Sequence, residues 1–180
     1  MSHSLDKPLL VITLILLASG FVILGSASIA ISQKDFGTIS YYTLRQLLFG
    51  VCVGLIAFLA AYRIPYRYWK KLAVPLMLLS FGLLALVFVP EFSYSWGGAR
   101  RWLHFSIFSF QPSEILKFAF VVYLAAWLDA RRKEVRSMSY GMIPFAIMLG
   151  IIGIFLIMQP DLGTLGVIVL TAGILYLLGG

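Results

Sequence analysis

The sequence predicts an all-α polytopic membrane protein, and three observations support this fold class. Hydrophobic residues make up 61% of the 180-residue chain and charged residues only 12%, whereas soluble domains have about 45–50% and about 25%. The apolar residues are gathered in six long stretches. The basic residues are concentrated in two of the intervening segments, which is typical of the cytoplasmic loops of membrane proteins.

Each apolar stretch is close to the roughly 20 residues that a helix needs to cross a bilayer. We expect helices because hydrocarbon offers no partners to unpaired backbone N–H and C=O groups. The stretches are also longer than the alternating strands of a membrane β-barrel. We therefore predict one integral membrane domain over 1–180 with about six spans. The predicted spans are 8–31, 44–62, 72–89, 112–128, 142–158 and 164–178.

The first apolar stretch, from Pro8 to about Ile31, is longer than the core of about 7–15 residues in a signal peptide. The small residues of 26–30 weakly resemble a cleavage site. The length favours an uncleaved first span.

The orientation follows from the basic residues. The segments "YRIPYRYWKKL" and "DARRKEVR" hold eight of the fourteen Lys and Arg residues. In an alternating six-span scheme both segments lie on the same side of the membrane as Lys7. The positive-inside rule makes this side cytoplasmic, so the N-terminus is predicted in the cytoplasm. The segments predicted on the outer face are 32–43, 90–111 and 159–163.

The outer segment 90–111 is too apolar for a simple solvated loop. Its aromatic residues suit the depth of the lipid headgroups, and Gly97 and Gly98 permit a sharp turn. We predict a re-entrant or surface-lying hairpin, and an aromatic anchor without chemistry is the alternative. The aromatic residues concerned are Trp96, Trp102, Phe105, Phe108 and Phe110.

Two similar motifs, QPSE at 111–114 and QPD at 159–161, each begin a predicted span at the outer face. A proline at the first helical position and an acid in the first turn are also ordinary features of a helix start.

Glu114 and Lys117 lie on one helix face, three residues apart. Charges in a membrane are costly and usually face a bundle interior or a wet cavity. We predict a paired, inward-facing Glu114–Lys117, with snorkelling of Lys117 as the alternative.

Seven polar residues are therefore predicted to line an outer cavity for an anionic, lipid-linked molecule, since forked arginine contacts suit phosphate or diphosphate. A carboxylate there could also take a proton or bind a cation. In "PDLGT", Gly163 lets the backbone approach a ligand closely. This chemistry alone does not separate an enzyme from a transporter. The predicted substrate-binding residues are Arg100, Arg101, Gln111, Glu114, Lys117, Asp161 and Thr164.

Metal and nucleic-acid sites are not expected. The single cysteine, Cys52, and the two histidines, His3 and His104, have no partners at metal-ligand spacing. No cofactor is predicted with certainty, and a divalent cation is left open. The net charge of +7 is attributed to the cytoplasmic loops rather than to a nucleic-acid partner.

The stretches "GARRWLHFSIFSFQPSEILKF" and "MQPDLGTLGVIVLTAGILYLLGG" resemble the SEDS family (shape, elongation, division and sporulation), of the RodA/FtsW/SpoVE type. GARRWL, QPSE-x-x-K and QPDLGT in this order are specific, and the resemblance covers almost the whole chain. The stretch "YLAAWLDARRKEVRSMSYGMIPF" slightly favours the division-type branch.

The resemblance implies a peptidoglycan glycosyltransferase that polymerises lipid II on the outer face of the bacterial cytoplasmic membrane, during division or elongation. It also implies a class B penicillin-binding protein as partner, besides membrane lipids. It assigns the charged pair to Glu114 and Lys117, cavity residues to Asp161 and Thr164, and the outer-loop motif to Arg100 and Arg101.

The chain departs from the family in length. Family members have about ten spans, and their essential aspartate lies in an outer loop after the seventh. No catalytic residue is therefore predicted before Gly180, and the chain is expected to be the N-terminal part of a longer protein. It is also expected to be inactive alone. A lipid II flippase and a non-enzymatic scaffold of the cell-wall machinery are the alternative functions.

Overall fold

The structure is a computed structural model of the chain, and it describes residues 6–96, 99–105 and 108–179. The chain divides into two compact units, 1–64 and 65–180.

The first unit consists of two long helical segments. Helix α1 spans Lys7–Phe36; it is capped by the Asp6 carboxylate, which accepts from the Leu9 N–H at 3.1 Å, and it ends at Gly37 with a φ of 68°. Helix α2 (Tyr41–Arg45), a π-helical segment (Gln46–Val51) and helix α3 (Cys52–Arg63) follow without a break. The Ser32 hydroxyl accepts from the Tyr42 N–H at 3.3 Å and joins the two segments.

The second unit is a helical bundle with a small sheet at one end. Its helices are α4 (Tyr66–Leu86), α5 (Pro112–Ala130), α6 (Ile143–Met158) and α7 (Leu162–Gly179), and a π-helical turn (Met138–Met142) precedes α6. Helix α5 is central and packs against both α4 and α7, while α6 packs against α7. The core of this unit is apolar and includes Leu84, Leu116, Phe120, Ile152 and Ile168.

The helices agree with the polytopic membrane fold. Five helical segments in the described part of the chain are long and apolar enough to cross a membrane. Helix α5 coincides with the remaining predicted span, but Glu114, Lys117 and Asp129 give it three charged residues in 19. The five segments are Lys7–Phe36, Tyr41–Arg63, Tyr66–Leu86, Met138–Met158 and Leu162–Gly179.

Some helix ends lie outside the predicted spans. Helix α4 begins at Tyr66 rather than at residue 72, so Lys70 and Lys71 are helical and not part of a loop. Helix α1 likewise continues to Phe36, into the predicted outer segment. The physical reason is that hydropathy marks the part of a helix that suits hydrocarbon, whereas backbone hydrogen bonding continues into the polar headgroup zone.

The segment 90–111 adds a feature that the all-α prediction did not include. It forms a three-stranded antiparallel sheet in the order β1 (Ser93–Trp96), β2 (Ala99–Phe105) and β3 (Phe108–Phe110). Aromatic residues favour strands, and the sheet gives their backbone groups partners. The turn predicted at 97–98 lies outside the described residues. Of the predicted interfacial aromatic side chains, the structure describes Trp102, which is exposed, and Phe110, which is half-buried.

Strand β2 has an irregularity of the β-bulge kind at Arg101, because Tyr94 and Ser95 of β1 pair with Trp102 and Arg100 and leave Arg101 without an opposite residue. Arg101 is half-buried and donates to backbone carbonyls of residues 159 and 160, whereas Arg100 is exposed. Arg101, and not Arg100, therefore reaches the helical bundle.

Candidate functional site

The three residues between α6 and α7, Gln159–Pro160–Asp161, form what we call the QPD turn. Gln159 is only 2% exposed, and its side-chain Nε2 donates to the backbone carbonyl of Leu84 at 3.2 Å. Leu84 lies in the last turn of α4, where carbonyl groups run out of helical partners. The first residue of the QPD turn thus joins the ends of α4 and α6.

Arg101 binds the backbone of the same turn. Its Nε donates to the Gln159 carbonyl at 3.0 Å, and its Nη2 donates to the Pro160 carbonyl. These carbonyls follow the C-terminal end of α6, the negative end of the helix dipole, where a cation is favourable. Arg101 therefore joins the sheet to the QPD turn.

Asp161 binds two helix starts at once. Its Oδ1 accepts from the Thr164 N–H at 3.3 Å, which caps α7. Its Oδ2 accepts from Gln111 Nε2 and from Ser113 Oγ, both at 2.9 Å, at the start of α5. The residue is 5% exposed, so its carboxylate is enclosed by these donors.

The protonation of Asp161 follows from this enclosure. Burial disfavours its charged form and raises the pKa, but hydrogen bonds from Thr164 and Ser113 and the charge of Arg101 outweigh burial. The pKa of Asp161 therefore lies below its ordinary value of 3.8. A carboxylate with such a pKa stays ionised at neutral pH and is a weak proton acceptor.

The predicted ion pair between Glu114 and Lys117 is formed, with 2.9 Å between Oε2 and Nζ. The Glu114 side chain is 60% exposed and that of Lys117 is 32% exposed. The pair lies on the surface of the second unit and not in its core. Whether this surface faces the interior of a larger bundle stays a prediction.

Lys117 also lines a groove between α5 and α7. The groove has a volume of about 290 Å³ and is mostly apolar, with Thr171 as a further polar residue. Phe118 and Phe120 of α5 and Val167 and Ile168 of α7 form much of its wall. A charged group thus lies beside a space that suits an apolar chain.

The structure separates the seven predicted residues into two groups. Arg101, Gln111, Asp161 and Thr164 are joined through the QPD turn, while Glu114 and Lys117 form their own pair. Arg100 is exposed and belongs to neither group. Sequence reasoning did not include Ser113 and Gln159, although both belong to the quoted QPSE and QPD motifs. The similarity of the two motifs was the available signal for these two residues, because the motifs bind each other through Asp161.

Within the residues that the structure describes, no three His, Cys, Asp or Glu side chains are grouped so as to hold a metal ion. The structure therefore names no ligands for the divalent cation that the sequence leaves open.

Comparison with known proteins supplies the family. The model of the FtsW/RodA/SpoVE family, described as cell cycle protein, matches residues 7–180. The chain belongs to this family. It is thus a multi-pass protein of the bacterial cytoplasmic membrane, as the sequence predicts.

Among curated relatives, the chain resembles FtsW proteins. It is 37% identical over 158 residues to the probable peptidoglycan glycosyltransferase FtsW of Trichlorobacter lovleyi, covering 88% of this chain and 41% of that protein. It is 35% identical over 179 residues to the FtsW of Coxiella burnetii, covering 99% and 48%. The FtsW-like branch that the sequence favoured is confirmed. The chain spans less than half the length of these relatives.

Solved structures of the family share the fold. RodA of Thermus thermophilus is similar with a TM-score of 0.66 and 29% identity, covering 89% of this chain and 53% of that chain. A chain from a structure described as a peptidoglycan synthase complex that coordinates polymerization and crosslinking has a TM-score of 0.64 and 27% identity, covering 83% and 44%.

Proposed function

We propose that the protein containing this chain is a peptidoglycan glycosyltransferase that polymerises lipid II on the outer face of the cytoplasmic membrane. The relatives named as probable peptidoglycan glycosyltransferases support the activity. The observation that carries the proposal is the collection of polar side chains at one end of the second unit, around the QPD turn and the Glu114–Lys117 pair.

The reaction sets the chemical needs of the site. A sugar hydroxyl attacks the anomeric carbon that carries the lipid diphosphate. The new glycosidic C–O bond forms as the bond to the diphosphate oxygen breaks, and the hydroxyl proton goes to a base. Such a reaction needs a positioned base and stabilisation of the departing diphosphate.

The side chains differ in how free they are to meet these needs. Arg100, Glu114 and Lys117 are the ones we propose to contact the substrate, since Arg101, Gln111, Asp161 and Thr164 are occupied within the fold. Lys117 would face the diphosphate, and Glu114 would modulate the charge of Lys117. The base is proposed to come from an outer-loop aspartate beyond this chain, as the family resemblance implies.

The orientation of the protein is part of the proposal. The end of the second unit opposite the QPD turn carries Arg67, Lys70 and Lys71 at the start of α4 and the basic segment 131–136 after α5. The positive-inside rule makes that end cytoplasmic. The N-terminus is then cytoplasmic, and the QPD turn faces outward, toward the space where glycan strands are made.

We also propose a class B penicillin-binding protein as the partner, since crosslinking must follow polymerisation.

A lipid II flippase would need a polar route across the membrane. The buried core between the two ends of the second unit is apolar over Leu84, Leu116, Phe120, Leu124 and Ile152, which favours chemistry at one face.

The test uses purified full-length protein, its class B penicillin-binding protein and labelled lipid II. We expect glycan strands from the full-length protein and none from residues 1–180 alone. Lys117→Met should reduce strand formation strongly, whereas Lys34→Met, on the exposed end of α1, should not. Lipid II translocation across vesicles without strands would favour the flippase, and neither activity would favour a scaffold.

A further inference from the structure

The start of α5 has an unusual hydrogen-bonding arrangement. Side chains at or next to a helix N-terminus commonly accept from the free N–H groups of their own helix. Gln111 precedes α5 and makes no such bond. Gln111 and Ser113 instead donate to Oδ2 of Asp161, each at 2.9 Å. The first turn of α5 is thus bound to the first turn of α7.

Glu114 follows directly after these two donors. Its backbone N–H donates to the Gln111 carbonyl at 3.1 Å, and its side chain pairs with Lys117 at 2.9 Å. Any displacement of Gln111 or Ser113 would therefore move the backbone that carries Glu114. The carboxylate of Asp161 is hydrogen-bonded to both Gln111 and Ser113.

We propose that Asp161 is a positioning residue, which fixes the first turn of α5 and through it the place of the Glu114–Lys117 pair. This inference rests on the proposed function, because the Glu114–Lys117 pair is the part that we propose to contact lipid II. Asp161 itself is enclosed, with donors on both oxygens and 5% exposure. It is not placed to contact substrate.

A charge at position 161 suits this role because the groups around it are donors. Gln111 Nε2, Ser113 Oγ and the Thr164 N–H all point hydrogens at the carboxylate. Hydrogen bonds to a charged group are roughly twice as strong as neutral ones. An amide at position 161 would present its own N–H₂ to the Gln111 amide and weaken the contact.

A second substitution, at Gln111, can compensate for the loss of the Asp161 carboxylate. In the double variant Asp161→Asn/Gln111→Glu, the carboxylate moves from the start of α7 to the start of α5. The introduced asparagine amide can then donate to the introduced glutamate across the same contact. The link between the helices is restored, but no carboxylate remains at position 161. A positioning role and a direct role in the reaction therefore give opposite results.

The first readout is polymerisation of labelled lipid II by the full-length protein with its partner. We expect Asp161→Asn to lower kcat/KM by about tenfold to a hundredfold, the range that loss of charge-assisted hydrogen bonds gives. Adding Gln111→Glu should recover most of the loss. A double variant as impaired as Asp161→Asn alone, in folded protein, would show that the carboxylate must be at position 161 and would overturn the proposal.

The second readout does not depend on lipid II. In a Cys52→Ser background, the cysteine of a Leu116→Cys variant, at a position of α5 that is fully buried, reports how firmly the start of α5 is held, through its rate of modification by an impermeant thiol reagent. We expect Asp161→Asn to raise this rate by about fivefold or more, because local opening exposes the site, and Gln111→Glu to lower it again. An unchanged rate refutes the positioning role whatever the activity.

The two readouts separate the two proposals. Modification rates of the cysteine variants that follow the expected pattern, together with a wild-type full-length protein that makes no strands, would refute the glycosyltransferase and leave the positioning role standing. If Asp161→Asn does not fold, Ser113→Ala removes a single donor and should shift both readouts in the same direction by a smaller amount. Ser80→Ala is the matched control, since Ser80 is fully buried in α4 and its hydroxyl bonds within its own helix, to Met77.

Discussion

The side chain of Gln159 lies under the end of α4, where its Nε2 donates to the Leu84 carbonyl at 3.2 Å. The same carbonyl accepts from the Val87 N–H at 3.2 Å, so Gln159 supplies its second partner. Because Gln159 is almost fully buried, this bond is shielded from water. It connects the end of α4 to the turn after α6, through two residues that are 75 positions apart in the sequence.

The first prediction concerns this bond. Gln159→Met keeps the length of the side chain but removes the donor. We expect the full-length protein in detergent to lose about 0.5–1.5 kcal/mol of stability, the net value of a typical hydrogen bond. Thermal unfolding followed by circular dichroism measures the loss. Gln33→Met, at an exposed site on α1, is the control and should be near neutral; equal effects at both positions would contradict the prediction.

The second prediction is a double-mutant cycle with Glu114→Gln and Lys117→Met. Because both side chains are partly exposed, the coupling energy in residues 1–180 should be small, about 0.2–1 kcal/mol, as for surface pairs. A larger coupling in the full-length protein, above about 2 kcal/mol, would mean that the pair is buried there. Strict additivity in both chains would contradict pairing and support snorkelling of Lys117.

The third prediction concerns the turn before α6. A Cβ added at Gly141 would lie 1.9 Å from the Val135 carbonyl oxygen and 2.5 Å from its carbon. That carbonyl also accepts from the Tyr176 hydroxyl at 2.5 Å, so it is held in place. Gly141→Ala should therefore destabilise the protein by about 1–3 kcal/mol, as overpacking does, and lower its folded yield.

Gly82→Ala provides the matched control for Gly141→Ala. Gly82 lies within α4, and nothing approaches within 4 Å of an added Cβ. Alanine is favoured over glycine inside a helix by about 0.5–1 kcal/mol, so the control should be neutral or stabilising. Fluorescence-detected gel filtration of heated samples measures both variants, and the prediction is wrong if the two behave alike.

The fourth prediction is a pH dependence with a defined sign. The pKa of Asp161 is lowered in the folded protein, so its stabilising contribution is present above the ordinary value of 3.8 and is lost as the pH falls through the folded pKa. Asp161 should contribute no slope to stability between about pH 5 and pH 8. Below about pH 4, the wild-type protein should lose stability faster than Asp161→Asn. Parallel curves for the two proteins down to about pH 2 would contradict this.

The fifth prediction tests the orientation. Glu91 and Lys133 are both exposed, Glu91 between α4 and the sheet and Lys133 after α5. In a Cys52→Ser background, a Glu91→Cys variant should react with an impermeant thiol reagent on intact cells, while a Lys133→Cys variant should react only after lysis. The reverse pattern would place the QPD turn in the cytoplasm and refute the proposed site of glycan synthesis.

The sequence by itself determined the helical, polytopic membrane class and the family. These features depend on local quantities: the length of an apolar stretch, the cost of burying charge in lipid, and motifs of a few consecutive residues. The pairing of Glu114 with Lys117 was also predictable, because three residues along a helix return a side chain to the same face.

Only the tertiary structure decided which polar residues bind each other. Gln111 and Asp161 are 50 residues apart, and Arg101 and Gln159 are 58 apart, so no helix or strand periodicity relates the two members of either pair. The different surroundings of Arg100 and Arg101 likewise depend on β2 and its irregular pairing with β1, which no local pattern in the sequence predicts. Hydropathy measures preference for lipid, whereas the partner of a buried polar group is set by the packing of the helices that bring the two groups within about 3 Å.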